Sequence, residues 1–239
     1  MLLGLAAGSA IALCAAVANA APVQDWSGFY VGGVVGANVE HGHFSLPGDT
    51  SDVLLSDHAN ATGLTGGGLI GFNKQYQNYV VGIEGDVVAG AADRKVTACT
   101  AIDGCFTPAH DSFTTYNRLK QGVSGHLRVR LGYAMDRTLV YVAGGYSVAD
   151  TRLDLVGDCF NPANPPTPTV YTFSRGKTVS GFNIGAGVER AVTDHIAVRA
   201  EYVYDDFGGQ TYRGDAPEWN DRRIDLHNSN FRVAASYRF

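Results

Sequence analysis

The sequence predicts an all-β chain, closed as an eight-stranded antiparallel up-and-down barrel that lies in a bilayer. Three observations carry this expectation. Glycine accounts for 30 of 239 residues, Tyr and Phe for 12 and 11 against two Met, and only 17% of residues are charged, below the roughly 25% of soluble domains. Apolar residues alternate with polar or small ones at period two in run after run, the mark of strands. The connections between these runs are alternately very short and long, as in a barrel whose two rims face different surroundings.

The elements follow in chain order. Met1 to Ala20 carries no charge and ends in Ala18-Asn19-Ala20, the small-x-small pattern of a secretory cleavage site. We read 1–20 as a signal peptide and 21–239 as the barrel. Trp26–Asn38 and Thr62–Lys74 are strand-like with less regular parity. Tyr79–Gly90 sets Tyr79, Val81, Ile83 and Val87 against Glu84 and Asp86. In the fourth run Val123, Leu127, Val129, Leu131 and Tyr133 oppose Ser124, His126, Arg128 and Arg130. Thr138–Leu153 is a fifth strand. Phe182, Ile184, Ala186 and Val188 oppose Asn183 and Glu189, and Ile196, Val198, Ala200, Tyr202 and Tyr204 oppose Arg199 and Glu201. In the terminal run Phe231, Val233, Ala235, Tyr237 and Phe239 share one face, and Arg232, Ala234, Ser236 and Arg238 the other.

Short links are expected at Gln75–Asn78, Met135–Arg137 and Ala191–Asp194. Four long loops are expected at about 41–61, 94–115, 157–177 and 206–227, rich in Asp, Asn, Pro, Thr and Gly. An exported chain is allowed disulfides; Cys99 with Cys105 is the most economical pairing, which leaves Cys159 over and Cys14 in the signal.

Environment follows from which face is oily. Beyond the N-terminus no apolar run approaches the roughly 18 residues of a spanning helix. The polar face of the strands carries Glu84, Asp86, His126, Arg128, Arg130, Glu189, Arg199, Glu201, Arg232 and Arg238. Counting from the short turns puts Glu84, Asp86, Arg128, Arg130, Arg199, Glu201 and Arg232 at similar heights, a mid-barrel band of paired charge. The apolar face ends in Tyr79, Tyr133, Tyr237 and Phe239 at the short-turn rim and in Tyr146, Tyr202 and Tyr204 towards the long loops. Aromatic girdles at both ends of an apolar band belong to a membrane barrel. The lumen network is therefore assigned to Glu84, Asp86, His126, Arg128, Arg130, Arg199, Glu201 and Arg232.

Several segments carry a family resemblance. Trp26-Ser27-Gly28-Phe29-Tyr30-Val31-Gly32-Gly33 resembles the first strand of small bacterial outer-membrane barrels of the OmpA-like and opacity-like group, above all the porin-family surface proteins of alphaproteobacteria. Gly68-Leu69-Ile70-Gly71-Phe72-Asn73 with Val81-Gly82-Ile83-Glu84-Gly85-Asp86 looks like its second hairpin, and Leu127–Tyr133 resembles its fourth strand. The resemblance covers nearly all of Trp26–Phe239. It implies a Gram-negative outer-membrane location with both termini in the periplasm. It also implies that Tyr237 and the terminal Phe239 act as an assembly signal for the barrel-assembly machinery, with outer-membrane lipids and lipopolysaccharide as the other partners.

Motifs that imitate chemistry have plainer readings. Gly66-Gly67-Gly68-Leu69-Ile70-Gly71 matches G-x-G-x-x-G, but a dinucleotide site needs a following helix, and a strand and turn follow here. Ser124, His126 and Glu84 imitate a triad, yet Ser and His at i and i+2 of one strand seldom form the oriented hydrogen bond required. His41, His43, His58 and His110 read as exposed loop histidines with no metal-ligand spacing. Asp205, Asp206, Asp215, Glu218, Asp221 and Asp225 are interleaved with Arg213, Arg222 and Arg223, a solvated mixed surface. The chain is expected to be no enzyme, to hold no metal or cofactor, and, with a net charge of −5, to bind no nucleic acid. A structural, surface-display barrel with a plugged lumen is the reading. A narrow channel for small solutes and a haem- or host-ligand-binding surface protein stand as its alternatives.

Overall fold

The computed structural model describes residues 24–45, 58–100, 112–160, 169–212 and 222–239. They form eight strands: β1 Gly28–Ser45, β2 His58–Tyr76, β3 Tyr79–Thr100, β4 Ser112–Met135, β5 Thr138–Phe160, β6 Thr169–Ala191, β7 Ile196–Tyr212 and β8 Arg222–Arg238. Each pairs antiparallel with its sequence neighbours, and β1 pairs with β8 to close the barrel. Closure leaves no strand edge, so the wall pairs its backbone groups internally where lipid offers no partner.

Three links are tight. Gln77-Asn78 and Asp136-Arg137 are two-residue turns, and residues 192–195 join β6 to β7. Gln77 and Asp136 take φ of 55° and 49°, the left-handed start that a primed hairpin turn requires. At the opposite rim the strands run further than the apolar alternation suggests. Much of 41–61, 94–115, 157–177 and 206–227, expected as loop, continues the ladders: β1 reaches Ser45, β3 reaches Thr100 and β6 begins at Thr169. Strands of 17 to 24 residues exceed the 9–11 that cross a bilayer. Beyond the membrane neither face need be apolar, so the ladder goes on where period two fades. Cys99 and Cys159 accordingly lie in β3 and β5, not in loops, while Cys105, and with it the Cys99–Cys105 pairing, falls outside the described residues. The expected signal peptide lies outside them too.

Parity is as the alternation predicts. Val81, Ile83, Val129, Leu131, Val198 and Val233 face outward, as do Tyr79, Tyr133, Tyr146, Tyr202, Tyr237 and Phe239. Aromatic pairs line the turn-side rim, with Phe29–Phe72 at 4.7 Å and Tyr79–Tyr133 at 5.5 Å between ring centroids, and Tyr202–Phe231 at 4.9 Å lies towards the other end. All ten charged residues of the polar face are buried.

Candidate functional site

The lumen is the site, and the wall builds it two residues at a time. On β3 and β4, Glu84 lies opposite Arg128 and Asp86 opposite His126. On β6 and β7, Glu189 lies opposite Arg199, and on β7 and β8 Glu201 opposite Arg232. Directly opposed residues share a face, so these pairs all enter the lumen.

Once inside, the long arginines cross it. Glu84 is the hub: its carboxylate meets Arg128 at 2.5 Å, Arg199 at 2.7 Å and Arg130 at 3.3 Å, and accepts the Tyr30 hydroxyl at 2.8 Å. Arg128 also reaches Glu201 at 2.9 Å and Asp86 at 3.1 Å, and Arg130 binds Glu189 at 2.7 Å. Arg232 joins Asp86 to Glu201, at 3.3 Å each. Towards the loop-side end, His126 sits between two carboxylates, Nδ1 2.5 Å from Asp86 and Nε2 3.1 Å from Asp205. Only a protonated imidazole carries an N–H on both ring nitrogens, one facing each acid. The band sets four arginines (Arg128, Arg130, Arg199, Arg232), and His126 when protonated, against five carboxylates (Glu84, Asp86, Glu189, Glu201, Asp205). Such balance is what burial requires, because an unmatched charge in a narrow, poorly hydrated lumen is expensive.

The eight residues assigned to the network from sequence come together. Four participants were not assigned. Glu189 stands on the polar face in the sequence but outside the counted band; register with Arg199 brings it level. Asp205 was grouped with the acidic loop cluster, but β7 runs through it. Its carboxylate accepts Ser147 Oγ at 2.7 Å and Asn230 Nδ2 at 3.0 Å. Continuing the alternation of Arg199 and Glu201 to Asp205 would have found it. Tyr30 and Tyr141 are the other two, in strands whose parity the sequence leaves open. Each lies directly opposite a glycine, Tyr30 across from Gly71 and Tyr141 across from Gly187, and a Cβ on either glycine would collide with the ring. The paired Tyr over Gly lets each hydroxyl reach a carboxylate, Glu84 for Tyr30 and Glu201 for Tyr141 at 3.1 Å. Arg130 lies over both rings, 5.6 and 4.0 Å from their centroids, a cation–π contact. The glycine run that imitates a nucleotide loop thus seats an aromatic ring inside a strand.

The triad look-alike dissolves. Ser147 and His126 both address Asp205, and Ser124 has no described bond to His126. A nucleophile needs its hydrogen bond to the histidine.

Below the band a strap closes the mouth. Gln24 N donates to Asp136 O at 3.1 Å, and Trp26 N to Gln75 Oε1 at 2.8 Å. Gln24 Nε2 reaches Asp194 O at 3.4 Å, and Arg238 donates to Asp25 O at 2.8 Å. All four quarters of the rim are tied. Trp26 is buried among Val80, Ala134, Leu139, Tyr141, Ala191 and Ala197, with Arg238 4.9 Å from its ring centroid. At this rim the Ser27 N–H donates to Asp25 at 2.9 Å and holds that carboxyl below its ordinary range.

The chain matches the outer membrane protein beta-barrel domain family over residues 7–239. It belongs to that family. Similar proteins include the 31 kDa outer-membrane immunogenic protein of Brucella melitensis biotype 1, 28% identical over 230 residues, which cover 92% of this chain and 88% of the relative. The 22 kDa outer membrane protein of Rhizobium leguminosarum bv. viciae is 28% identical over 195 residues, 82% of this chain and 71% of the relative. Among solved structures, OprG of Pseudomonas aeruginosa has a TM-score of 0.48 at 13% identity, covering 91% of this chain and 98% of that one. The protein is an outer-membrane β-barrel of a Gram-negative bacterium.

Proposed function

We propose that this outer-membrane barrel is a structural, surface-display protein with a shut lumen, and not an enzyme. The observation that carries the reading is the charge-balanced band, in which Glu84 alone engages three arginines. An eight-stranded barrel is just wide enough to be filled by its own side chains, and here long, mutually paired ones fill it. The barrel presents its long connections outside the cell and its short turns and Trp26 strap to the periplasm. The word immunogenic in the Brucella relative's name accords with display of those connections. Outer-membrane lipid and lipopolysaccharide surround the apolar band, and the barrel-assembly machinery reads Tyr237 and Phe239 at the periplasmic end of β8. Purified protein in planar bilayers should give no discrete openings; reproducible unitary conductance would replace this reading with the narrow channel.

A further inference from the structure

Charge along the lumen balances only if one more cation joins the arginines. Arg128, Arg130, Arg199 and Arg232 meet five carboxylates, Glu84, Asp86, Glu189, Glu201 and Asp205, and every one of these residues is buried. Arg238 lies below the band and donates to Asp25 O in the strap, while Lys177 lies above it and donates to Thr211 O. One negative charge is left over, and a narrow, poorly hydrated lumen does not tolerate it unpaired.

The surplus falls at His126. This residue of β4 lies opposite Asp86 of β3 and Ser147 of β5. Its Nδ1 is 2.5 Å from Asp86 and its Nε2 3.1 Å from Asp205 of β7, with all three side chains 1% exposed. Asp86 also meets Arg128 and Arg232. Asp205 meets no arginine among the described residues; its other contacts are the neutral Ser147 Oγ and Asn230 Nδ2. From β6 the nearest group is Asn183, which is neutral too and donates to Ser147 Oγ at 2.8 Å. Two acids therefore face the ring directly, and the two arginines reach it only through Asp86. A neutral imidazole has one N–H and one lone pair. Without the extra proton, one ring nitrogen turns that lone pair towards a carboxylate and nothing offsets Asp205.

We propose that a proton on His126 is the fifth positive charge of the band, a latch that ties β3, β4 and β7 together at the loop-side end of the lumen and is released as pH rises. The latch rests on the shut-lumen reading and adds what controls the closure. Histidine changes charge near neutral pH, whereas arginine keeps its charge throughout. With the proton in place, each ring nitrogen offers an N–H to one acid. When the proton leaves to solvent, Asp86 and Asp205 no longer share a cation and the loop-side end loosens, while Glu84 and its three arginines stay paired below.

The test uses the full barrel, folded in detergent for ring ¹⁵N spectra and in lipid vesicles for urea unfolding. The His126 ring, identified by signals that move in Asp205→Asn, should show both nitrogens protonated at about pH 6 and a lone pair at about pH 9. Over the same interval the wild-type urea midpoint should fall. Asp205→Asn removes the surplus carboxylate, so four arginines meet four acids and a neutral ring suffices. Its midpoint should lose that fall and exceed the wild-type value at about pH 9. His126→Gln, if it folds, should also lose the fall. The other six of the seven histidines are common to all three proteins, so the difference isolates His126. A neutral His126 ring at about pH 6, or a fall that persists unchanged in Asp205→Asn, would overturn the latch. Discrete bilayer openings at about pH 6, with ring signals and midpoints as expected, would overturn the shut lumen and leave the proton in place.

Discussion

Val129 and its neighbours Arg128 and Arg130 are consecutive on β4, yet Val129 is 53% exposed and the arginines 1% and 2%. The outward residue faces lipid, where any apolar side chain of similar size does the same work. Each inward residue has named partners: Arg128 binds three carboxylates from β3 and β7, and Arg130 two more bonds to carboxylates and one to Tyr30. One face is specified by class and the other by identity. The physical reason is that lipid interacts with area, whereas a closed polar lumen must match charge to charge and donor to acceptor.

The largest break should come from the hub. Glu84→Gln leaves three arginines short of a carboxylate, and removing one partner of a buried pair costs about 3–5 kcal/mol, read as a lowered urea midpoint in lipid vesicles. Direct opposition across β3 and β4 makes Arg128 the obvious partner to remove in compensation. The structure makes Arg199 the better choice, since its described ion pair is to Glu84 alone, whereas Arg128 also holds Asp86 and Glu201. Glu84→Gln with Arg199→Gln should recover more stability than Glu84→Gln with Arg128→Gln; equal recovery would mean the wiring is not as described.

The outward face breaks differently. Val129→Arg brings a charge towards the middle of the bilayer and should cost about 2–4 kcal/mol, measured by the same unfolding. An unchanged midpoint would show that Val129 does not face lipid. A subtler pair sharpens the contrast within β5, because Tyr141 points inward and Tyr146 outward. Tyr141→Phe removes a hydroxyl bonded to Glu201 and should cost about 1.5–3 kcal/mol, as for other bonds to charged groups. Tyr146→Phe should stay within about 0.5 kcal/mol. The smallest effect is expected at the turn: Gln77→Gly relieves a left-handed φ of 55° and should gain at most about 1 kcal/mol, seen as a slightly raised midpoint.

Much of this barrel was legible in one dimension. Alternation is a local property, so Val129 out and Arg128 in could be read from two adjacent letters, and so could the girdle of Tyr79, Tyr133 and Tyr237. All three tight links were legible, at Gln75–Asn78, Met135–Arg137 and Ala191–Asp194, where the apolar alternation breaks for a few residues. Heights were less so. They depend on how far each strand slides past its neighbour, which is why counting from the turns leaves Glu189 out of the band and Asp205 in an acidic surface cluster. Beyond the bilayer the selection for one oily face ends, so the extra length of β3 and β6 left no periodic trace.

What the sequence by itself determined is the class of each face and the count of strands, because both follow from a period of two and from turn chemistry. Who pairs with whom was decided only by the closed barrel. Closure brings β1 against β8, sets His41 beside His227, and lets Arg199 of β7 cross the lumen to Glu84 of β3. These contacts join residues far apart in the chain, and their partners are chosen by register, side-chain reach and the need to neutralise every buried charge, none of which is written in any local stretch.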